Sequence, residues 1–212
     1  MSRIVMISPF KDLETAARQV AAELAIPLEI YEGGMESSKL AIDRLTGPEV
    51  DVFVSRGGTS AYIASMYSQP VVNISTGLYD IIESCEEARK FSRNIAITSF
   101  GKKFIGMGLL EKAMDIAITE VVFQSLPDLE QRIAELAHEG NFCVVGGGQS
   151  VAAAHKNGLP AVFLRASRDT IRETLLQAVE VARLRREEKR RAYRLQTILD
   201  SVYDGIIAVD AE

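Results

Sequence analysis

Short apolar runs alternate with amphipathic stretches along most of this chain. Ile4 to Ile7, Leu28 to Tyr31, Val52 to Val54 and Pro70 to Ile74 are rich in β-branched residues and read as strands. The stretches between them read as helices. Leu13, Ala16, Ala17, Val20 and Leu24 fall on one face of a helix over 13–25, which Asp12 can cap and Pro27 stops. After Gly33-Gly34, Ser37 or Ser38 opens a short helix with Leu40, Ile42 and Leu45, ended by Gly47-Pro48. Thr59 or Ser60 can cap a helix through Ala61 to Tyr67, and Leu78 to Phe91 turns Ile81, Ile82, Cys85 and Ala88 inward. Strand and helix in alternation predict a doubly wound parallel sheet.

The same order then recurs. Ile95 to Thr98, Ile116 to Phe123, Phe142 to Val145 and Ala161 to Leu164 read as strands. A helix falls within 101–114, weakened early by Gly106 and Gly108. Another starts at Ser125-Leu-Pro-Asp128, with a cap, a first-turn proline and an acid against the dipole, and Gly140 closes it. The recurrence extends to identities. At one constant offset Val54 meets Val144, Gly57 meets Gly147, Gly58 meets Gly148, Ser60 meets Ser150 and Pro70 meets Pro160. Arg3, Ile7 and Phe10 meet Arg93, Ile97 and Phe100 at the same offset. A register that holds over this length implies a tandem duplication: an α/β protein of two similar lobes, 1–92 and 93–167, with a cleft between them.

After Arg165 the texture changes. No Gly or Pro occurs from Thr170 to Tyr203, and Thr170-x-x-Glu173 fits a capping box. Val181, Leu184, Leu195, Ile198 and Val202 follow a 3/4 spacing that Glu188 and Arg191 interrupt, an imperfect heptad seam. One reading is a helix over 168–203 packed on a lobe with its second half solvated. The other is a signalling helix, its segment 170–203 pairing with its twin in a homodimer. Residues Leu195 to Asp210 look like the opening of a PAS domain, with 204–212 as its truncated start, so we expect a longer parent protein.

Composition narrows the class. At 212 residues and 47% hydrophobic content the chain is ordinary for a globular protein, with no run suited to crossing a membrane. The first residues enter a strand directly and lack a signal-peptide layout, so a cytoplasmic location is expected. A net charge of −5 argues against these lobes gripping nucleic acid. The charge is uneven, because basic residues outnumber acidic ones between Arg168 and Arg194. Cys85 and Cys143 sit within apolar elements and read as buried free thiols.

The chemistry concentrates where strands end. Asp51-Val-Phe-Val-Ser-Arg-Gly-Gly-Thr-Ser60 joins a strand, a glycine turn and a helix N-terminus, an arrangement suited to anions. Arg56 adds a forked, permanently charged donor. Ligands of parallel α/β sheets sit beyond the carboxyl ends of the strands. That edge carries Ser8, Ser55, Arg56, Gly57, Gly58, Thr59, Ser60, Ser75 and Thr76 in the first lobe. In the second it carries Thr98, Ser99, Gly147, Gly148, Gln149, Ser150 and Arg165. Hydroxyls, amides, backbone donors and two arginines suit a small anionic metabolite of the carboxylate or phosphate kind. The plainer alternative is that the glycines serve only tight turns and Arg56 a structural ion pair. Gly146-Gly147-Gly148-Gln149-Ser150 lacks the lysine of a P-loop, and Val151 and Arg165 stand where a dinucleotide site needs a glycine and an acid. His138 and His155 lack a nearby Cys or acidic partner, so neither a metal nor a cofactor is expected. A solute receptor would need an export signal. A small two-lobed enzyme acting on a carboxylate would need an acid/base pair at equivalent strand ends, and the repeat offers none. A dimerisation module with an empty cleft remains open.

Val54-Ser-Arg-Gly-Gly-Thr-Ser60, Pro70-Val-Val-Asn-Ile74, Val144-Val-Gly-Gly-Gly-Gln-Ser150 and the helix into Leu195 to Asp210 resemble one known family. It is the N-terminal sensor region of the propionate-catabolism activators, sigma-54-dependent transcription regulators, and the resemblance covers nearly the whole chain. It implies chelatase-like three-layer lobes, each with a four-stranded parallel sheet. It also implies a parent that continues into PAS, AAA+ ATPase and helix-turn-helix domains, partnered by DNA and sigma-54 RNA polymerase. In such a parent, ligand binding relieves inhibition of the ATPase. Founding members answer to a methylcitrate-type tricarboxylate. The positions carried over are Arg56, Gly57, Gly58, Thr59 and Ser60, with Gly147, Gly148, Gln149 and Ser150 opposite. ATPase and helix-turn-helix motifs are absent from these 212 residues.

Overall fold

The structure, a computed structural model, describes residues 2–45 and 49–201. The segment that resembles a PAS opening, 204–212, lies outside them, as do the last two residues of the expected pairing helix. The first lobe contains β1 (Ile4–Ser8), α1 (Lys11–Glu23), β2 (Leu28–Glu32), α2 (Glu36–Asp43), β3 (Val52–Ser55), α3 (Gly57–Met66) and β4 (Val71–Asn73). After α4 (Leu78–Ala88) come β5 (Asn94–Phe100), α5 (Met107–Met114), β6 (Ala117–Phe123), α6 (Leu126–Glu139), β7 (Phe142–Gly146), α7 (Gly148–Lys156) and β8 (Ala161–Phe163). The long α8 (Arg168–Ser201) follows. The strands form two separate all-parallel sheets of four, ordered β2-β1-β3-β4 and β6-β5-β7-β8. The topologies are identical, as a duplication requires. The two central strands of each sheet are the most apolar and are buried between helical layers.

Several helix starts differ from the sequence reading: α1 begins at Lys11, with Phe10 rather than Asp12 at its cap, and α2 begins at Glu36 rather than at Ser37 or Ser38. Helix α3 begins at Gly57, not after Thr59, because the Thr59 hydroxyl is taken up in accepting the Met35 N–H at 2.9 Å. Helix α5 begins only at Met107, since Gly106 holds a left-handed φ of 88°. Ser167, rather than Thr170, caps α8, accepting the Thr170 N–H at 3.2 Å. The cap at Ser125 forms as expected, accepting the Asp128 N–H.

The two lobes exchange helices. Helix α4 follows β4 in the chain, yet Ile81, Cys85 and Ala88 are buried with Ile95, Ile97, Cys143 and Val145 of the second sheet. Helix α8 follows β8, yet Ile171, Leu175, Ala178 and Ala182 are buried with Ile4, Met6, Val52 and Val54 of the first. The repeat seen in sequence therefore crosses over in space: each copy's last helix covers the other copy's sheet. Ion pairs tie α8 to the first lobe farther along. Arg186 meets the buried Asp51 carboxylate at 2.7 Å, and Lys189 meets Glu49 at 2.8 Å. Past residue 190 the helix is solvated on every side, and Tyr193, Leu195 and Leu199 are exposed.

Cys85 and Cys143 are both buried free thiols. Burial pushes Cys85 up to about 12 and Cys143 to about 11, because the thiolate has no solvation in this core. A raised thiol pKa favours the folded state below the unfolded value near 8.5 and loses that contribution as pH climbs through the folded values. We expect stability to fall between roughly pH 9 and 12 through these groups. The Cys85→Ala/Cys143→Ala chain should show a shallower alkaline decline in urea titrations. Iodoacetamide at pH 8 should leave both thiols unmodified until denaturant is added.

Candidate ligand cleft

The carboxyl ends of both sheets face one cleft of about 670 Å³. Its floor is the crossover. The chain leaves β4 through Ser75, Thr76 and Gly77 and leaves β8 through Leu164, Arg165 and Ala166. Asp80, buried in the first turn of α4, holds the two exits together. Its carboxylate accepts the Gly77 N–H and the Ser167 N–H, each at 3.0 Å. Arg56 bridges the same region, donating to the Leu164 carbonyl at 3.0 Å and to the Thr76 hydroxyl at 3.2 Å. It is only 8% exposed. Burial lowers its pKa, and the nearby negative charge of Asp80 works the other way. Among the described residues no carboxylate lies within ion-pair distance of it, so the alternative of a structural ion pair is not what is seen.

The walls are the two glycine turns. On one side, Gly57 adopts φ 57° and donates its N–H to the Asn73 side chain at 3.0 Å. Gly58 stands so close to the second lobe that an added Cβ would lie 3.3 Å from the Phe100 ring. On the other side, Gly147, Gly148 and Gln149 open α7 toward the cleft. First-turn N–H groups at both helix starts, with positive dipole ends behind them, favour an anion. Phe10 lines the cleft and meets Phe163 behind it, ring centroids 4.6 Å apart in an edge-to-face contact.

The duplication diverges at this point. The position of Arg56 corresponds to Gly146, where a Cβ would fall 2.0 Å from Thr98 Oγ1 and 2.6 Å from Ser150 Cβ. The hydroxyls of Thr98 and Ser150, both buried, are bonded to each other at 2.7 Å. At this pair of equivalent positions only the first lobe carries a cation, and the second spends the space on a hydroxyl pair.

Of the residues expected from sequence, Arg56, Gly57, Gly58, Thr59, Ser75, Thr76, Thr98, Ser99, Gly147, Gly148, Gln149 and Ser150 line the cleft together. Ser8, Ser55, Ser60 and Arg165 do not, and Ser55 is buried and donates to the Ile7 carbonyl at 2.8 Å. Ser8 is buried and donates to the Phe10 carbonyl at 2.8 Å. Ser60 is buried within α3, and Arg165 is exposed. Sequence reading missed Lys102, Lys103, Phe104 and Ile105, which hang over the cleft on the β5–α5 loop. Two lysines and two apolar residues between Gly101 and Gly106 were the available signal. Among the described residues no acidic side chain lines the cleft, and no group of three His, Cys, Asp or Glu could hold a metal. No helix among them is long and apolar enough to cross a membrane.

Fold and cleft define a two-lobed α/β domain with a long C-terminal helix. The family model for the propionate catabolism activator matches residues 22–188, and the chain belongs to that family. It is a regulatory domain of a transcriptional-activator family. The crystal structure of an NtrC family transcriptional regulator from Clostridium acetobutylicum shares the fold, with a TM-score of 0.78 and 23% identity over 87% of this chain and 98% of that one. A conserved domain protein from Vibrio cholerae has a TM-score of 0.44 and 12% identity over 86% and 84% of the two chains.

Proposed function

We propose that this chain is the effector-sensing domain of a cytoplasmic, sigma-54-dependent transcriptional activator. It binds a small anionic metabolite of the carboxylate class between its lobes. The observation that carries this reading is electrostatic. The cleft is lined by Arg56, Lys102 and Lys103 and, among the described residues, by no acidic side chain, the buried Asp80 carboxylate near Arg56 being taken up by the Gly77 and Ser167 N–H groups, in a chain whose net charge is −5. Such a field concentrates anions and disfavours cations.

The signal leaves through the crossover. Helix α8 starts beside the cleft floor, and the bonds of Arg56 and Asp80 join that start to the exits of both sheets. An anion that draws the lobes together changes the geometry of those exits and hence the direction of α8. It drives the change only by its difference in affinity for the two arrangements. The exposed end of α8 passes the change to PAS and AAA+ domains of the parent and pairs with its twin in a homodimer. Regulation of DNA-bound sigma-54 RNA polymerase belongs to that parent.

A thermal-shift screen against di- and tricarboxylates, with phosphate and sulfate as controls, tests this. A ligand at about 100 times its Kd adds about 2.7 kcal/mol of stability. We expect Arg56→Ala to abolish the shift of any acid that stabilises the parent sequence. An unchanged shift in that variant would remove Arg56 as the anchor.

A further inference from the structure

We infer that the face of α8 carrying Leu184, Glu188, Arg191, Leu195 and Ile198 is the contact surface for a second copy of this chain, closed by reciprocal Glu188–Arg191 ion pairs. This rests on the homodimer reading above and assigns the surface that such a dimer uses. Two stripes run along α8. Ile171, Leu175, Ala178 and Ala182 are each 0% exposed against the first sheet. Leu184, Leu195 and Ile198 are 51%, 63% and 55% exposed. At about 100° of turn per residue, the second stripe points roughly 140–150° away from the first. A second helix can therefore lie along it without displacing the first lobe. From Leu184 through Glu188, Arg191 and Leu195 to Ile198 the steps alternate between four and three residues, the spacing of a two-helix seam.

The charges say what covers this stripe. Arg183 pairs with Glu180 and Glu187, Arg186 with Asp51, and Lys189 with Glu49, so those groups are satisfied within the chain. Glu188 and Arg191 are exposed and, among the described residues, make no ion pair. They stand one layer apart, opposite in sign, inside an otherwise apolar seam. An unrelated apolar helix laid there would bury both charges without partners, which is strongly unfavourable. A second copy related by a two-fold axis brings its Arg191 to Glu188 and its Glu188 to Arg191, because in such an interface every contact occurs twice. The seam complements itself, and this selects a twin over a generic amphipathic helix.

The test is sedimentation velocity on the 212-residue chain over a concentration series. It is run beside Leu195→Asp, Glu188→Arg, Arg191→Glu and the double swap Glu188→Arg/Arg191→Glu. All three positions are exposed, so circular dichroism melts of the variants should match that of the unsubstituted chain. We expect a reversible dimer whose Kd rises at least about tenfold in each single variant and returns to within about threefold in the double swap. A dimer insensitive to Leu195→Asp, or a double swap as weak as the single ones, overturns this seam and leaves a homodimer with its contact elsewhere. A chain that stays monomeric at every concentration overturns the homodimer reading and the inference with it. The acid shift at the Arg56 cleft is read separately by the thermal-shift screen and stands or falls on its own.

Discussion

Gly146→Ala is expected to unfold or grossly destabilise the second lobe. Its Cβ would appear 2.0 Å from Thr98 Oγ1, far inside any real contact distance. Neither neighbour can retreat cheaply. Thr98 and Ser150 are buried and bonded to each other at 2.7 Å, and Thr98 also donates to the Val145 carbonyl. Overpacking costs about 1–3 kcal/mol, and each buried hydroxyl left without a partner costs about 1–3 kcal/mol more. The sum is a large share of the roughly 5–15 kcal/mol that holds a domain together. It should lower the melting temperature by roughly 10–20 °C if the chain folds at all. Gly147→Ala is the control. Its Cβ would meet nothing within 4 Å and its φ of −73° suits any residue, so a loss of about 1 kcal/mol or less is expected from the weaker helix cap. Circular dichroism melts of the two variants decide the matter. Similar melting temperatures would mean that Thr98 moves aside without cost.

Ending the chain at Ser167 should leave the first lobe unfolded and the second folded. Ile171, Leu175, Ala178 and Ala182 are each 0% exposed against the first sheet. Full burial of Ile171 and Leu175 contributes about 1.5–3 kcal/mol each, and the strand face beneath them would be bared as well. Ending the chain at Arg190 removes, among the described residues, only solvated helix and should leave both lobes intact. Limited proteolysis followed by mass mapping distinguishes the two. The short chain should lose residues near β1 and β3 to protease while the segment around β5 and β7 survives. Protection of β1 in the short chain would show that α8 is dispensable to the fold.

Element type and order were legible in the sequence because buried parallel strands are continuous apolar runs and the repeat supplies each signal twice. The glycine turns were legible for the same reason. The helix exchange was not. The apolar face of Ile81, Cys85 and Ala88 announces that something covers α4, but periodicity does not say which sheet does. Site residues failed where a polar side chain had a local use. Ser8 serves the Phe10 carbonyl, and Ser60 is buried in α3. The loop lysines were hidden by a different cause. Gly101 to Met114 reads only as containing a helix weakened early, and nothing in that reading marks 102–105 as a loop, which the left-handed Gly106 frees to overhang the cleft.

The exchange of helices also sets an order of assembly. The second lobe with α4 occupies one continuous stretch, Leu78 to Leu164, and its core needs nothing from outside it. The first lobe is split, its strands before that stretch and its covering helix after it. As the chain emerges from a ribosome, the first sheet must wait, with the part of one apolar face that α1 does not cover left bare, until Ile171 and Leu175 have been made. The later half completes its core first and is nested inside the earlier one, its two ends stapled side by side by Asp80. Nascent first-lobe strands are therefore the segment of this protein most exposed to chaperones and to misassembly during synthesis.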